Sequence, residues 1–270
     1  MKIVSVGEAT VDYYPHIDQL LVGGISLNFA VQAKRAGAEQ VSLVSRVGSD
    51  PHAQLIRERL KTEGIDQTHL HTVDGQTAEC TIVIKENGER YFPPNSYHQH
   101  VLADYCPSAA DLSFIRAHEI VAARFDISYT RAAFDLVMLD PEFKGKKVAD
   151  FGDWFDYRGR HPEIFPYLNR VDLAFISGDQ ETIRTFRPLS LGIKALIVVT
   201  LGKDGSVALL NGQLVEQPAA PASKIVDTTG CGDAFQATFT VNFFKTLDLQ
   251  LALRAASEQA ANTLMHVGAI

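Results

Sequence analysis

The sequence predicts an α/β protein built on a mostly parallel sheet with helices on both faces. Short, almost wholly apolar runs recur at residues 3–6, 41–45, 119–122, 147–151, 173–176 and 195–201, as strands buried on both sides do. Segments with apolar residues at helical spacing lie between these runs, so strand and helix alternate through most of the chain. No internal repeat, low-complexity tract or linker divides the 270 residues, and one domain spanning 1–270 is expected. In such sheets ligands sit beyond the carboxyl ends of the strands.

Taken in order, residues 3–6 supply the first strand. Residues 26–36 carry Leu27, Ala30 and Val31 on one helical face, and Gly37 follows as the residue that ends the helix. Asp50 and Pro51 read as N-cap and first residue of the next helix, with Leu55, Ile56 and Leu60 as its apolar stripe and Gly64 as its stop. The text TAECTIVIKENGERYF, residues 77–92, then alternates as strands do on both sides of Asn87-Gly88, a dipeptide suited to a two-residue hairpin. With residues 11–19 it is expected to form a small β lid over the ligand edge, the lid segments running over about 11–19 and 77–104. An edge hairpin of the main sheet is the alternative. Asn211-Gly212 joins residues 206–210 to 213–216 in a second hairpin. Beyond Asp233, Ala234, Phe235, Thr238, Phe239, Asn242 and Phe243 recur at helical spacing.

Composition narrows the function. A formal net charge of −7 and the lack of a long basic run argue against a nucleic-acid partner, whose phosphates call for clustered Lys and Arg. Apolar runs are too short to span a membrane, and Glu8 interrupts the N-terminal one before it resembles a signal peptide; a cytoplasmic address is expected. Cys80, Cys106 and Cys231 are odd in number and far apart, the pattern of reduced thiols. His69 with His71, and His98 with His100, share strand faces, but neither pair has a third metal ligand at a supporting interval. A G-x-G-x-x-G after the first strand and a P-loop are both missing, which disfavours a nicotinamide dehydrogenase and a P-loop nucleotidase.

The most informative stretch is IVDTTGCGDAF, residues 225–235. The first N–H groups of a helix have no internal acceptors, and aligned peptide dipoles leave about half a positive charge there. Glycines at 230 and 232 remove Cβ atoms that would hold a phosphate away and tolerate left-handed dihedrals, so the turn reads as an anion cradle. An acid beside such a cradle opposes binding but suits chemistry. With an acceptor hydroxyl between Asp233 and the γ-phosphoryl of ATP, the carboxylate takes the hydroxyl proton while the amides stabilise the moving charge. The helix start is expected to keep Asp233 ionised. The simpler alternative is a tight strand-to-helix turn in which Asp233 only favours the helix N-terminus.

These residues carry a family resemblance. DTTGCGDAF is similar to the signature DTxGAGDxF of the ribokinase/PfkB family of carbohydrate and nucleoside kinases. Gly23-Gly24, Asn28, Ala30, Ala36-Gly37 and Val47-Gly48-Ser49-Asp50 resemble that family's N-terminal pattern, and VTLGKDGS, with Thr200, Gly202 and Gly205, resembles its nucleotide-contacting strand and turn. The resemblance implies a ribokinase-like three-layer α/β core with a small β lid, ATP on the C-terminal half and a sugar between core and lid. It implies Asp233 as general base, Gly230, Cys231 and Gly232 as anion hole, and Asp12, Gly24 and Asn28 on substrate hydroxyls. Magnesium is expected with the triphosphate, a monovalent cation is compatible, and a homodimer through the lid is common in the family. Two departures stand out. The usual magnesium motif N-x-x-E reads Ser177-Gly178-Asp179-Gln180 followed by Glu181, leaving Asp179 and Glu181 as the candidates. Cys231 replaces the usual alanine, and a thiol at a helix start is expected to be acidified and open to oxidation or alkylation.

For the acceptor, TAECTIVIKENGERYF, ADFGDWFDY and the closing HVGAI resemble the branch of the family that phosphorylates Amadori sugar–amine adducts of the fructoselysine kind. Asp150 and Asp153 would suit a cationic amine and Trp154 would add a cation–π face, with Arg90 reaching in from the lid. Fructokinase, or another ketose or ribose kinase, is the alternative within the family. A non-catalytic sugar- or nucleotide-binding regulator is the alternative outside it, against which the intact Asp233 weighs.

Overall fold

A computed structural model describes residues 1–125, 131–157 and 163–270. Its elements run β1 (Lys2–Val6), β2 (Thr10–Tyr14), β3 (Gln19–Gly23), α1 (Ile25–Arg35), β4 (Gln40–Val47), α2 (Pro51–Glu63), β5 (Leu70–Thr72), β6 (Glu79–Thr81), β7 (Val83–Ile84), β8 (Arg90–Tyr91) and β9 (Tyr97–His98). They continue through α3 (Ala109–Ile115), β10 (Ile120–Arg124), α4 (Arg131–Met138), β11 (Lys146–Asp153), α5 (Phe165–Leu168), β12 (Leu173–Ser177), α6 (Gln180–Leu189) and β13 (Leu196–Thr200). The chain closes with β14 (Ser206–Leu210), β15 (Gln213–Gln217), α7 (Cys231–Thr246) and α8 (Leu249–Thr263).

The main sheet has the order β15-β14-β13-β12-β11-β10-β1-β4-β5, and only the pairs made by β14 are antiparallel. Successive side chains of its strands point to opposite faces, which builds two cores. Ile3, Val41, Ile120, Phe175 and Val198 pack under α1, α2, α7 and α8. Val4, Val44, Val121, Ala149 and Ile197 pack under α3, α4, α5 and α6 on the other side. The result is the mostly parallel sheet with helices on both faces expected from the apolar runs, in three layers as the family resemblance implies.

Local signals decide the element ends. Asp50 accepts the Ala53 N–H at 3.0 Å, Pro51 follows, and Gly64 ends α2 at φ +68°. The stripe of α2 is Ala53, Ile56 and Leu60; Leu55, expected on it, is 38% exposed and falls outside it. Asn211 and Gly212 both take positive φ between β14 and β15, a turn whose twist matches the flanking strands. A second sheet, β3-β2-β6-β9, and the separate hairpin β7-β8 hold the segments set apart by the sequence pattern. Among the described residues no helix is long and apolar enough to cross a membrane.

Candidate active site

Arg124, Asp150 and Asp153, Ser177 and Thr200 stand at the carboxyl ends of β10, β11, β12 and β13, and all line one cleft of about 1460 Å³. Its opposite wall comes from the small sheet and the β7-β8 hairpin through Asp12, Cys80, Arg90 and Tyr97, and α7 begins at its floor. Asp12, Gly24, Asn28, Arg90, Asp150, Asp153, Thr200, Gly202, Gly205, Gly230, Cys231, Gly232 and Asp233 therefore share a single cavity, although as many as 221 positions separate them in sequence.

The floor follows from the glycine turn. Gly230 is the N-cap of α7 at φ +74°, and no side chain caps that helix start. A Cβ on Gly230 would lie 2.3 Å from the Ala269 Cβ, so the turn closes against the C-terminal tail only because Gly230 has none. Gly232 differs: a Cβ there meets no atom within 4 Å and would stand in open space. Asp227, the first residue of the motif, is fully buried and braces the turn. It accepts the Thr229 N–H (2.8 Å), the Thr229 hydroxyl (2.6 Å) and the Gly268 N–H (2.8 Å). The closing HVGAI residues thus support the cradle from behind.

Asp233 lies half-buried in the first turn of α7, where Asn28 Nδ2 donates to its Oδ2 at 2.8 Å across the molecule from α1. Burial pushes its carboxyl up to about 7; the Asn28 hydrogen bond, Arg124 and Arg90 pull it down, and Asp150 adds to the rise. This corrects the expectation that the helix start keeps Asp233 ionised, because desolvation outweighs the Asn28 hydrogen bond and the two guanidiniums. Asp12 is likewise lifted to about 7 by burial, with the Thr10 hydroxyl donating to it at 3.0 Å. Gly23 on the paired strand makes room for it, since a Cβ there would lie 2.0 Å from Asp12 Oδ2.

Arg90 does reach the cleft, but its bonds go to the turn before α7. Its N–H donates to the Thr228 hydroxyl at 3.0 Å and its Nη1 to the Thr228 carbonyl at 2.7 Å, while Thr228 N–H donates to Gly88. The hairpin is thereby latched to the cradle, with a guanidinium beside it. Asp150 pairs with Arg124 at 3.3 Å and accepts the Gly152 N–H, and Asp153 accepts the Phe155 N–H at 2.9 Å. Trp154, expected to offer a cation–π face, is instead buried edge-on against Phe186, the centroids 4.7 Å apart; the aromatic rings lining the cleft include Phe92 and Tyr97.

Three other expectations are corrected. Asp179 and Glu181 do not line the cleft: Asp179 caps α6 through the N–H groups of Glu181 and Thr182, and Glu181 is exposed. The Cys231 thiol is not acidified, because burial, with help from Asp227 and Asp233, pushes it up to about 12 against the pull of Arg90. And the histidine pair His69 and His71 does have a third partner, Asp111. The sequence reading also missed Glu8, Arg124 and a small-residue wall formed by Ala219, Ala220, Ala222 and Ala260, all in the same cleft. Their one signal was position after a strand or on a helix, too common to single them out.

A model of the pfkB family of carbohydrate kinases matches residues 2–270. The chain belongs to that family. It is an ATP-dependent carbohydrate kinase. Fructoselysine 6-kinase of Escherichia coli is 30% identical over 275 residues, 99% of this chain and 98% of that protein. A fructokinase of Klebsiella pneumoniae is also 30% identical, over 87% of this chain and 82% of its own length. The crystal structure of adenosine kinase from Sinorhizobium meliloti shares the fold at a TM-score of 0.86 and 18% identity, covering 99% of this chain and 95% of that one.

Proposed function

We propose that the protein transfers the γ-phosphoryl group of ATP to a primary hydroxyl of a fructosamine, with Asp233 as the general base. One observation carries the catalytic part: a carboxylate with a raised pKa, oriented by Asn28 at 2.8 Å, stands in the first turn of a helix whose start is uncapped. In this reading Gly230, Cys231 and Gly232 present amides to the phosphoryl oxygens, and the Arg90 guanidinium stands at the edge of that cradle. As the acceptor oxygen bonds to phosphorus, the bond from phosphorus to the ADP oxygen breaks and the hydroxyl proton passes to Asp233. Thr200, Gly202 and Gly205 flank the nucleotide, and Asp12, Gly24 and Asn28 hold sugar hydroxyls. Magnesium accompanies ATP in this chemistry. Asp179 and Glu181 are not among the residues that line the cleft, and no step is assigned through the metal.

The acceptor rests on two supports. Full-length similarity to the E. coli fructoselysine 6-kinase is one. The other is charge: Glu8 and Asp153 face the cleft, while Asp150 is offset by Arg124, and this residual acidity favours a cationic amine. A fructokinase is the second reading, supported by the equal identity to the Klebsiella enzyme. The small sheet and hairpin, over 11–19 and 77–104, act as the lid. A cytoplasmic address belongs to this reading, as does a lid-to-lid homodimer suggested by the exposed Tyr13, Ile17 and Leu20.

ADP release across fructoselysine, fructose, ribose, ketodeoxygluconate and adenosine tests the acceptor. Fructoselysine is expected to give the highest kcat/KM. A clear preference for fructose would move the assignment to fructokinase, and no release with any acceptor would favour a binding protein.

A further inference from the structure

We propose that His69, His71 and Asp111 form a zinc site that ties the outermost strand of the main sheet to α3, away from the kinase cleft. His71 stands on β5 and His69 in the turn just before it, and both rings reach the same carboxylate. Asp111 arrives from the first turn of α3, some forty positions later. His69 Nδ1 lies 2.6 Å and His71 Nε2 lies 2.7 Å from the same carboxylate oxygen, Asp111 Oδ1. None of the three lines the cleft.

The surroundings of the trio resemble the support that metal ligands receive. The Asp111 side chain is only 2% exposed, and its other oxygen accepts the Ser108 N–H at 2.8 Å and the Ser108 hydroxyl at 2.7 Å, which aims Oδ1 at the histidines. The His69 ring is held flat against Phe114, with centroids 4.0 Å apart. His71 is 43% exposed, so the site has a way in and room for a water to complete a tetrahedron. Two imidazoles and one carboxylate suit zinc, whereas magnesium prefers an all-oxygen shell. Zinc bonds of about 2.0–2.2 Å place tetrahedral ligand atoms roughly 3.3 Å apart. The three ligand atoms already lie within 4.8 Å of one another, so side-chain rotations that change their separations by up to about 1.5 Å convert the hydrogen-bonded trio into a coordinated one. Such an ion would act as a clamp: β5 is three residues long and, among the described residues, pairs only with β4, and the metal would join it to a second element.

The test is zinc titration of the tag-free, chelator-treated chain, followed by calorimetry and thermal melting. One equivalent is expected to bind. The midpoint should rise by about 5 °C or more at a hundredfold excess over Kd, from the usual linkage of binding to stability in a chain of this size. His71→Ala, at an exposed position, is expected to fold normally, to weaken binding at least tenfold and to remove the shift. His100→Ala serves as control for the other histidine cluster, near Glu79, and is expected to change neither. The proposal is overturned if zinc produces no saturable shift, if His71→Ala binds as the parent does, or if His100→Ala alone removes binding.

Discussion

Asp233→Asn is expected to lower kcat by at least ~10²-fold while leaving the KM for ATP within a few-fold of the parent, the size of effect that loss of a general base produces. The amide keeps the shape and the hydrogen-bonding reach toward Asn28 but cannot accept the acceptor's proton. The parent should also show an acid limb. As the proposed base Asp233 would act only when ionised, and burial has lifted its carboxyl to about 7. kcat/KM should therefore rise with pH through about 7 and be lost below it, since protonation removes the base. A variant that retains parental turnover, or a parent profile flat through neutrality, would remove Asp233 from that role.

Gly230→Ala and Gly232→Ala are expected to fail in different ways, though the two glycines flank one cysteine. Gly230 sits at φ +74°, where an alanine is strained by roughly 1–3 kcal/mol, and its Cβ would meet Ala269 at 2.3 Å. The tail would have to shift, and with it the Gly268 bond to buried Asp227. A fall in the thermal midpoint of ~5 °C or more is expected for Gly230→Ala, with activity lost in proportion to the damaged turn. Gly232→Ala meets nothing in the protein and lies within a helix, so its midpoint should stay within about 2 °C of the parent or rise. On the proposed mechanism its Cβ would instead stand where the phosphoryl oxygens bind, raising the KM for ATP and lowering kcat. Thermal melts and steady-state kinetics on the pair separate the structural glycine from the functional one. Equal destabilisation of both would contradict this division of roles.

Much of this architecture was legible because its signals are local. A strand buried on both sides must be apolar where it is buried, and residues 173–176 and 196–199 are. An N-cap with a following proline and a left-handed glycine stop are written in consecutive letters, as in α2. What was not legible depends on residues far apart in sequence. Asp111 meets His69 and His71 only because α3 folds back on β5. Arg124 neutralises Asp150 only because β10 and β11 are neighbours, which turns a seemingly open carboxylate into half of an ion pair. Burial is the other blind spot. The helix start argued for an acidic Cys231 and an ionised Asp233, yet in both desolvation is the largest influence and raises the pKa. The same cause put Trp154 out of reach of any substrate, since its neighbour Phe186 comes from a different helix.

The central claim is that one helix start holds the terminal phosphoryl group while Asp233 takes the acceptor's proton. A crystal structure of the protein with a non-hydrolysable ATP analogue and fructoselysine tests it most directly. The account predicts the γ-phosphate against the amides of Gly230, Cys231 and Gly232, and a primary hydroxyl within hydrogen-bond distance of the Asp233 carboxylate. A triphosphate bound elsewhere in the cleft, or an acceptor hydroxyl resting on some other base, would contradict it.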